Sequence, residues 1–83
     1  MKSAYNKQTS LVPMIKAFVL HKMEQENLSQ NAFRLKVRLA SSNPLRSLLD
    51  LDGTSISTVE TILNYYNMNY TDLEKWYENI TDV

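Results

Sequence analysis

The sequence predicts an all-α domain built from five short helices. Its 83 residues include one Gly and two Pro, too few for a β fold that depends on many tight turns. Apolar residues recur three and four positions apart over most of the chain, which is the period of an amphipathic helix. In two places a Ser or Thr is followed three residues later by Glu, a pattern typical of helix starts.

The beginning of the chain is predicted to be a flexible basic arm over residues 1–12, which carries Lys2 and Lys7. Pro13 suits the first turn of a helix, where its missing N–H costs nothing. A first helix is therefore predicted over residues 13–26. Its apolar positions are Ile15, Phe18, Val19 and Met23.

The second helix is the ambiguous one. Ser29 fits an N-cap, but in residues 32–40 apolar and basic residues alternate with the period of a strand. The alternating residues are Phe33, Arg34, Leu35, Lys36, Val37, Arg38 and Leu39. A helix is preferred because a single strand would leave its backbone unpaired. A strand would instead indicate a ribbon-helix-helix dimer that reads DNA with Arg34, Lys36 and Arg38.

The third helix is predicted from Asn43 as a cap and Pro44 as the first helical residue, with Gly53 closing it in a left-handed conformation. Its apolar residues are Leu45, Leu48 and Leu49.

The fourth and fifth helices are predicted from two capping boxes. Ser57 pairs with Glu60 in the first box, and Thr71 pairs with Glu74 in the second. The apolar residues at helical spacing are Val59, Ile62, Leu63 and Tyr66, then Leu73, Trp76, Tyr77 and Ile80. Residues 81–83 are predicted to be disordered.

Charge is sorted along the chain. Residues 1–46 hold eight basic and two acidic residues, a net charge of +6, whereas residues 47–83 hold one basic and seven acidic residues. Asymmetry of this kind indicates a basic surface for a polyanion, with nucleic acid as the first candidate.

Composition argues against several other classes. No cysteine and a single histidine, His21, leave neither a disulfide framework nor a metal site, so no cofactor is expected. Without a Gly-rich phosphate loop or a nucleophile with its base, no enzyme is expected. The longest apolar run is far shorter than a bilayer span and has no leader-like flanks, which predicts a cytoplasmic protein.

The order of these features resembles the lambda-repressor and Cro-like helix-turn-helix family. The residues that carry the resemblance are Leu28, Ser29, Gln30, Phe33, Val37, Leu45, Leu48, Gly53, residues 57–63 and Leu73. The resemblance covers residues 13–80 and implies that the second and third helices bind double-stranded DNA, the third in the major groove. It also implies a transcription regulator of the repressor type, a kind that is frequent in phages and mobile elements.

The resemblance also implies individual DNA contacts. Gln30 would lie at the start of the second helix against the phosphate backbone, and the exposed start of the third helix would read bases. The residues at that start are Ser42, Asn43, Arg46 and Ser47. Arg46 has the donors to read guanine, whereas Asn43 also has a capping role. Arg34, Lys36 and Arg38 are predicted to contact phosphates.

The chain departs from the family pattern at three positions. Arg34 stands where the family usually has Ala, Arg38 stands near the turn position that is commonly Gly, and Pro44 stands beside an aliphatic position. The turn is also one residue longer.

A single module contacts one half-site, so a homodimer is predicted. Its interface would use aromatic residues of the acidic half, namely Tyr66, Tyr70, Trp76 and Tyr77, although most of these also suit a core. The alternative from another class is a protein interaction module or inhibitor that uses the acidic fourth and fifth helices.

Overall fold

The structure is a computed structural model that describes residues 5–41, 43–51 and 53–81. The helices are α1 (Tyr5–Gln25), α2 (Gln30–Val37), α3 (Asn43–Leu51), α4 (Ile56–Tyr65) and α5 (Tyr70–Thr81). Within the described ranges every regular element is a helix, which confirms the predicted all-α fold class.

One apolar core joins the five helices. The longest helix, α1, packs most extensively against α5 and also touches α3, while α2 packs against α3 and α4. The side chains that are almost completely buried are Ile15, Phe18, Val19, Phe33, Val37, Leu45, Leu48, Val59, Ile62, Leu63 and Leu73. Burial of each Val, Leu, Ile or Phe contributes roughly 1.5–3 kcal/mol, so this set is the main favourable term in folding.

The first helix begins earlier than the sequence predicts. It starts at Tyr5 and so includes part of the segment expected to be a flexible arm; residues 1–4 lie outside the described residues. Leu11 and Met14 are buried and were not among the predicted core positions. Their burial gives the added turns a packing face. Pro13 is consequently inside α1 rather than in its first turn, at a position where no N–H can bond the carbonyl four residues earlier.

The ambiguous segment is a helix. Ser29 caps α2 as predicted, with its hydroxyl oxygen accepting from the Ala32 amide at 3.1 Å. The strand on which the ribbon-helix-helix alternative depends is therefore absent from residues 30–37. As a helix, this segment does not bury all of its alternating apolar residues, because Leu35 is 58% exposed. Phe33 and Val37 lie one turn apart and face the core, and Leu35 falls between them on the other side of the helix.

The fourth and fifth helices are confirmed, but both predicted capping boxes are wrong by two residues. Ser55 caps α4, with its Oγ accepting from the Thr58 amide at 3.2 Å. Asn69 and Asp72 form the box at α5, where each side chain accepts from the other's amide, at 2.8 and 3.1 Å. Because the observed caps lie two residues earlier, they satisfy orphaned amides two positions before those of the predicted boxes, and each helix begins correspondingly earlier.

At its C-terminal end, α5 continues to Thr81, the first of the residues predicted to be disordered; residues 82 and 83 lie outside the described residues. Ile80, predicted in the apolar stripe, is 44% exposed.

Among the described residues, three helix ends are followed by a residue with left-handed backbone, and none of these residues is the glycine that usually occupies this position. The residues are Asn27 after α1, Arg38 after α2 and Asn67 after α4, with φ values of 56°, 70° and 57°. In each case the next amide donates to the carbonyl five residues earlier, at 2.8–3.0 Å. This bond defines the Schellman type of helix end.

The third helix closes differently. Gly53, predicted to be left-handed, is not among the residues with positive φ; its amide donates to the Ser47 carbonyl at 3.0 Å.

The position of the α4 cap gives a stability test. We expect Ser55→Ala to lower the free energy of unfolding by about 1 kcal/mol, because it removes an N-cap acceptor. Ser57→Ala, in the box that the sequence predicted, is the matched control and should change it by less than about 0.5 kcal/mol. Urea denaturation followed by circular dichroism measures both, and the reverse order would show that the helix begins at Ser57.

Candidate nucleic-acid interface

The candidate site is the unit formed by α2, the turn after it and α3. Arg38 ends α2 with φ 70° and ψ 41°, and the following Leu39 is buried. The Leu39 amide donates to the Arg34 carbonyl at 3.0 Å, which fixes the direction in which the chain leaves α2. Ser42 lies outside the described residues, so its predicted DNA contact has no structural account.

The third helix has two distinct faces. Leu45 and Leu48 are buried against the core, while Asn43 and Arg46 are exposed near its start. Because Asn43 is the first residue of α3, it lies within the first turn rather than before it as a cap. The exposed face of α3 therefore presents an amide and a guanidinium side chain close together in sequence.

Arg46 has one acidic neighbour on its own helix. Its Nε lies 3.9 Å from Asp50 Oδ2, and both side chains are more than half exposed. An exposed pair at this distance contributes little, so Arg46 exchanges this partner for another acceptor at small cost.

Arg34 is engaged within the protein rather than directed at solvent. Its Nε and Nη2 donate to Asn31 Oδ1 at 3.2 and 3.1 Å, and its Nη1 donates to the Leu39 carbonyl at 3.3 Å. The side chain is half-buried. Three of its five N–H donors are thus directed at neighbours in α2 and the turn.

Lys36 is also engaged, on another side of α2. Its Nζ forms an ion pair with Glu26, in the connection before α2, and lies 6.0 Å from the centre of the Tyr65 ring. The hydrogen bond that Lys36 donates to the Glu26 carboxylate raises the pKa of Lys36 above its usual 10.5, although partial desolvation opposes this. Lys36 is therefore separated from the Arg34 contacts at the turn, and the predicted phosphate contacts do not form one uniform row.

The opposite charges of the two halves of the chain are not separated in space. The basic α1 packs most closely against the acidic α5, so the sequence asymmetry does not translate into two distant surfaces. Lys22 on α1 sits over two aromatic rings, 5.0 Å from the centre of Tyr66 and 5.6 Å from that of Phe18. Among the basic residues of α2, the turn and α3, Arg38 and Arg46 are exposed, whereas Arg34 and Lys36 are half-buried.

The remaining predicted contacts have mixed exposure. Gln30 is exposed at the first position of α2. Ser47 is half-buried and lines an open groove of about 370 Å³ between α3 and the start of α4.

Sequence reasoning missed this groove. Its walls include Pro44 and Leu51 from α3 and Thr58 from α4, and Leu51 is 74% exposed. The sequence signal for the groove was Leu51. It lies three residues after Leu48, and α3 ends there, so no further turn of α3 covers its side chain.

The aromatic residues predicted for a dimer interface are mostly in the core. Tyr66 packs edge-on against Phe18 with ring centres 5.3 Å apart and stacks on Phe33 at 6.5 Å. Its hydroxyl is buried without a hydrogen-bond partner among the described residues, and burial raises its pKa. Trp76 packs edge-on against Phe18 at 5.2 Å.

The other two residues predicted for the dimer interface are Tyr77 and Tyr70. Tyr77 packs against the same core and is half-buried. Tyr70 is the exposed member of the predicted set, and partial burial raises the pKa of its phenol with a further contribution from Glu60.

Among the described residues, no group of three or more histidine, aspartate or glutamate side chains is placed to hold a metal ion. None of the described helices combines the length and apolarity that a membrane crossing needs.

The chain matches no protein-family model, and it has no significant match among curated proteins or solved structures. The geometry of α2, its turn and α3 is therefore the basis on which a function is proposed.

The left-handed residue before α3 gives a second stability test. We expect Arg38→Gly to raise the free energy of unfolding by about 0.5–1 kcal/mol, because glycine adopts positive φ without the steric cost that a Cβ carries. Asn67→Gly is the matched control, and its gain should be smaller because Asn tolerates this conformation better. Both variants are compared by urea denaturation; an Arg38→Gly variant less stable than the parent would contradict the assignment.

The ion pair of Lys36 gives a pH test. The folded pKa is raised, so the pair stabilises the protein below pH 10.5 and this contribution disappears as the pH rises through the folded value. We expect Glu26→Gln to lower the pKa of Lys36, measured by NMR titration of its side-chain resonances. Glu24→Gln is the control because Glu24 is not among the groups that shift Lys36. Equal pKa values in all three proteins would show that the pair does not form.

Proposed function

We propose that this chain is a cytoplasmic, sequence-specific regulator of the repressor type that binds double-stranded DNA. The observation that carries the proposal is the unit of two short helices joined by a left-handed turn, with Asn43 and Arg46 exposed at the start of the second helix. In this proposal α3 enters the major groove, whose width admits a helix.

The exposed side chains have the chemistry for distinct roles. Arg46 donates two parallel hydrogen bonds to O6 and N7 of guanine. Asn43, which lies inside the first turn of α3 and does not cap it, pairs with N6 and N7 of adenine. Arg38 lies at the turn before α3 and is exposed, which suits a phosphate contact. Gln30 is exposed at the α2 N-terminus, where side-chain and backbone donors both favour an anion.

We propose that the regulator acts as a homodimer, because one unit of this size contacts a single half-site. Tyr66, Trp76 and Tyr77 are largely committed to the core. Of the four aromatic residues that the sequence predicts for the dimer interface, Tyr70 is the one that is exposed.

A second candidate is a protein interaction module, favoured by the groove between α3 and α4. Leu51 is 74% exposed at its edge, and Ile56 at the start of α4 is 48% exposed. Exposed apolar side chains beside a groove are more typical of protein interaction sites than of DNA contacts. DNA titration separates the two candidates, because a module of this kind shows no retardation of DNA even at low salt.

The proposal is tested by selecting bound fragments from a random DNA library and measuring affinity for the selected site by fluorescence anisotropy at several salt concentrations. We expect Arg46→Ala to cost about 1–3 kcal/mol and to relax the preference at one base pair. Lys75→Ala, an exposed cation on α5, is the control and should leave affinity unchanged.

Arg38→Gly should weaken binding to all sequences and reduce the salt slope by about 1. If that variant is also more stable than the parent, its lost affinity cannot be attributed to unfolding. Absence of binding by the parent protein at low salt, or equal effects of Arg46→Ala and Lys75→Ala, would contradict the proposal.

A further inference from the structure

Arg34 bonds both backbone polar groups of Leu39, the residue that follows the left-handed Arg38. Its backbone carbonyl accepts from the Leu39 amide at 3.0 Å, and its side-chain Nη1 donates to the Leu39 carbonyl at 3.3 Å. Leu39 is thereby held through its N–H and its C=O by one residue of α2. Because Leu39 is also buried, its position is fixed by both packing and hydrogen bonds.

The guanidinium is itself oriented from the opposite side. Asn31, one turn earlier on α2, accepts from Nε and Nη2 through a single oxygen at 3.2 and 3.1 Å. These two bonds set the plane of the guanidinium, so that Nη1 is directed at the turn. A lysine has a flexible stem and no planar fork, so it lacks the geometry to make all three bonds at once.

The turn needs this support because of Arg38. A non-glycine residue with φ 70° is strained, and that conformation persists only where its surroundings hold it. The residues that follow connect directly to α3, so any relaxation at Arg38 moves the start of α3 relative to α2.

We propose that Arg34 is a positioning residue, a turn clamp formed with Asn31 and the Leu39 carbonyl, and not a phosphate contact. The DNA part of this inference rests on the proposed function, because fixing the start of α3 fixes the position of Arg46 in the groove. The clamp itself belongs to the free protein. It also accounts for an arginine where the helix-turn-helix pattern usually has alanine: here the side chain spans the turn instead of leaving room for close helix packing.

Hydrogen exchange in the free protein tests the clamp. We expect Arg34→Lys to accelerate exchange of the Leu39 amide on the order of five-fold, because a charge-assisted hydrogen bond that stabilises the closed turn is lost. Asn31→Ala is a milder variant that removes the orienting acceptor without changing charge, and it should accelerate the same amide less. Arg38→Lys is the matched control and should leave it unchanged, while amides in the middle of α1 report whether any variant unfolds globally.

DNA affinity measured against salt then separates positioning from charge. If Arg34 is a clamp, we expect Arg34→Lys to lose DNA affinity about five-fold, the same factor as for Leu39 amide exchange, while the salt slope stays at the parent value. A phosphate contact predicts that Arg34→Lys retains affinity, whereas Arg34→Gln loses it and reduces the slope by about 1. That second pattern, or unchanged Leu39 exchange in Arg34→Lys, overturns the inference. If the parent protein fails to bind DNA the proposed function fails, and the exchange measurement alone decides whether the clamp exists.

Discussion

Three of the connections between helices, those after α1, α2 and α4, depend on an apolar side chain that directly follows a residue with left-handed backbone. Leu28, Leu39 and Met68 occupy this place after Asn27, Arg38 and Asn67, and all three pack into or against the core. The positive φ reverses the direction of the chain, and burial of the apolar side chain offsets the conformational cost of the left-handed backbone. The helix α2, which begins the candidate site, lies between two of these anchors, Leu28 and Leu39.

The helices could be predicted from the sequence because their apolar period is strong, and their exact starts could not. Ser57 and Thr71 have the spacing of capping boxes, yet Ser55 and Asn69 are the caps in the structure. Several cap residues stand close together at both starts, and sequence spacing alone does not decide between them. The extension of α1 to Tyr5 could not be predicted for another reason. Pro13 is typical of a helix start, but Leu11, on its N-terminal side, packs into the core as part of the same helix.

The candidate site was predictable in its placement but not in the state of its side chains. The sequence indicates that residues 30–47 form the basic helix pair, and the structure places the exposed cations Arg38 and Arg46 there. The sequence does not indicate that Lys36 pairs with Glu26 ten residues earlier, or that Arg34 donates to the Leu39 carbonyl. Both contacts depend on turns that bring separate segments together, and an alternating charge pattern contains no information about such partners.

The corners after α1 and α4 use the same local arrangement, an Asn with positive φ, an apolar residue and then a cap, in residues 27–29 and 67–69. The hydrogen bonds that close them span no more than five residues, so each corner can form without waiting for distant parts of the chain to meet. The packing of α1 on α5 is different, because it joins the two ends of the chain. It closes the longest loop among the helix contacts, and it therefore carries the largest loop-closure entropy.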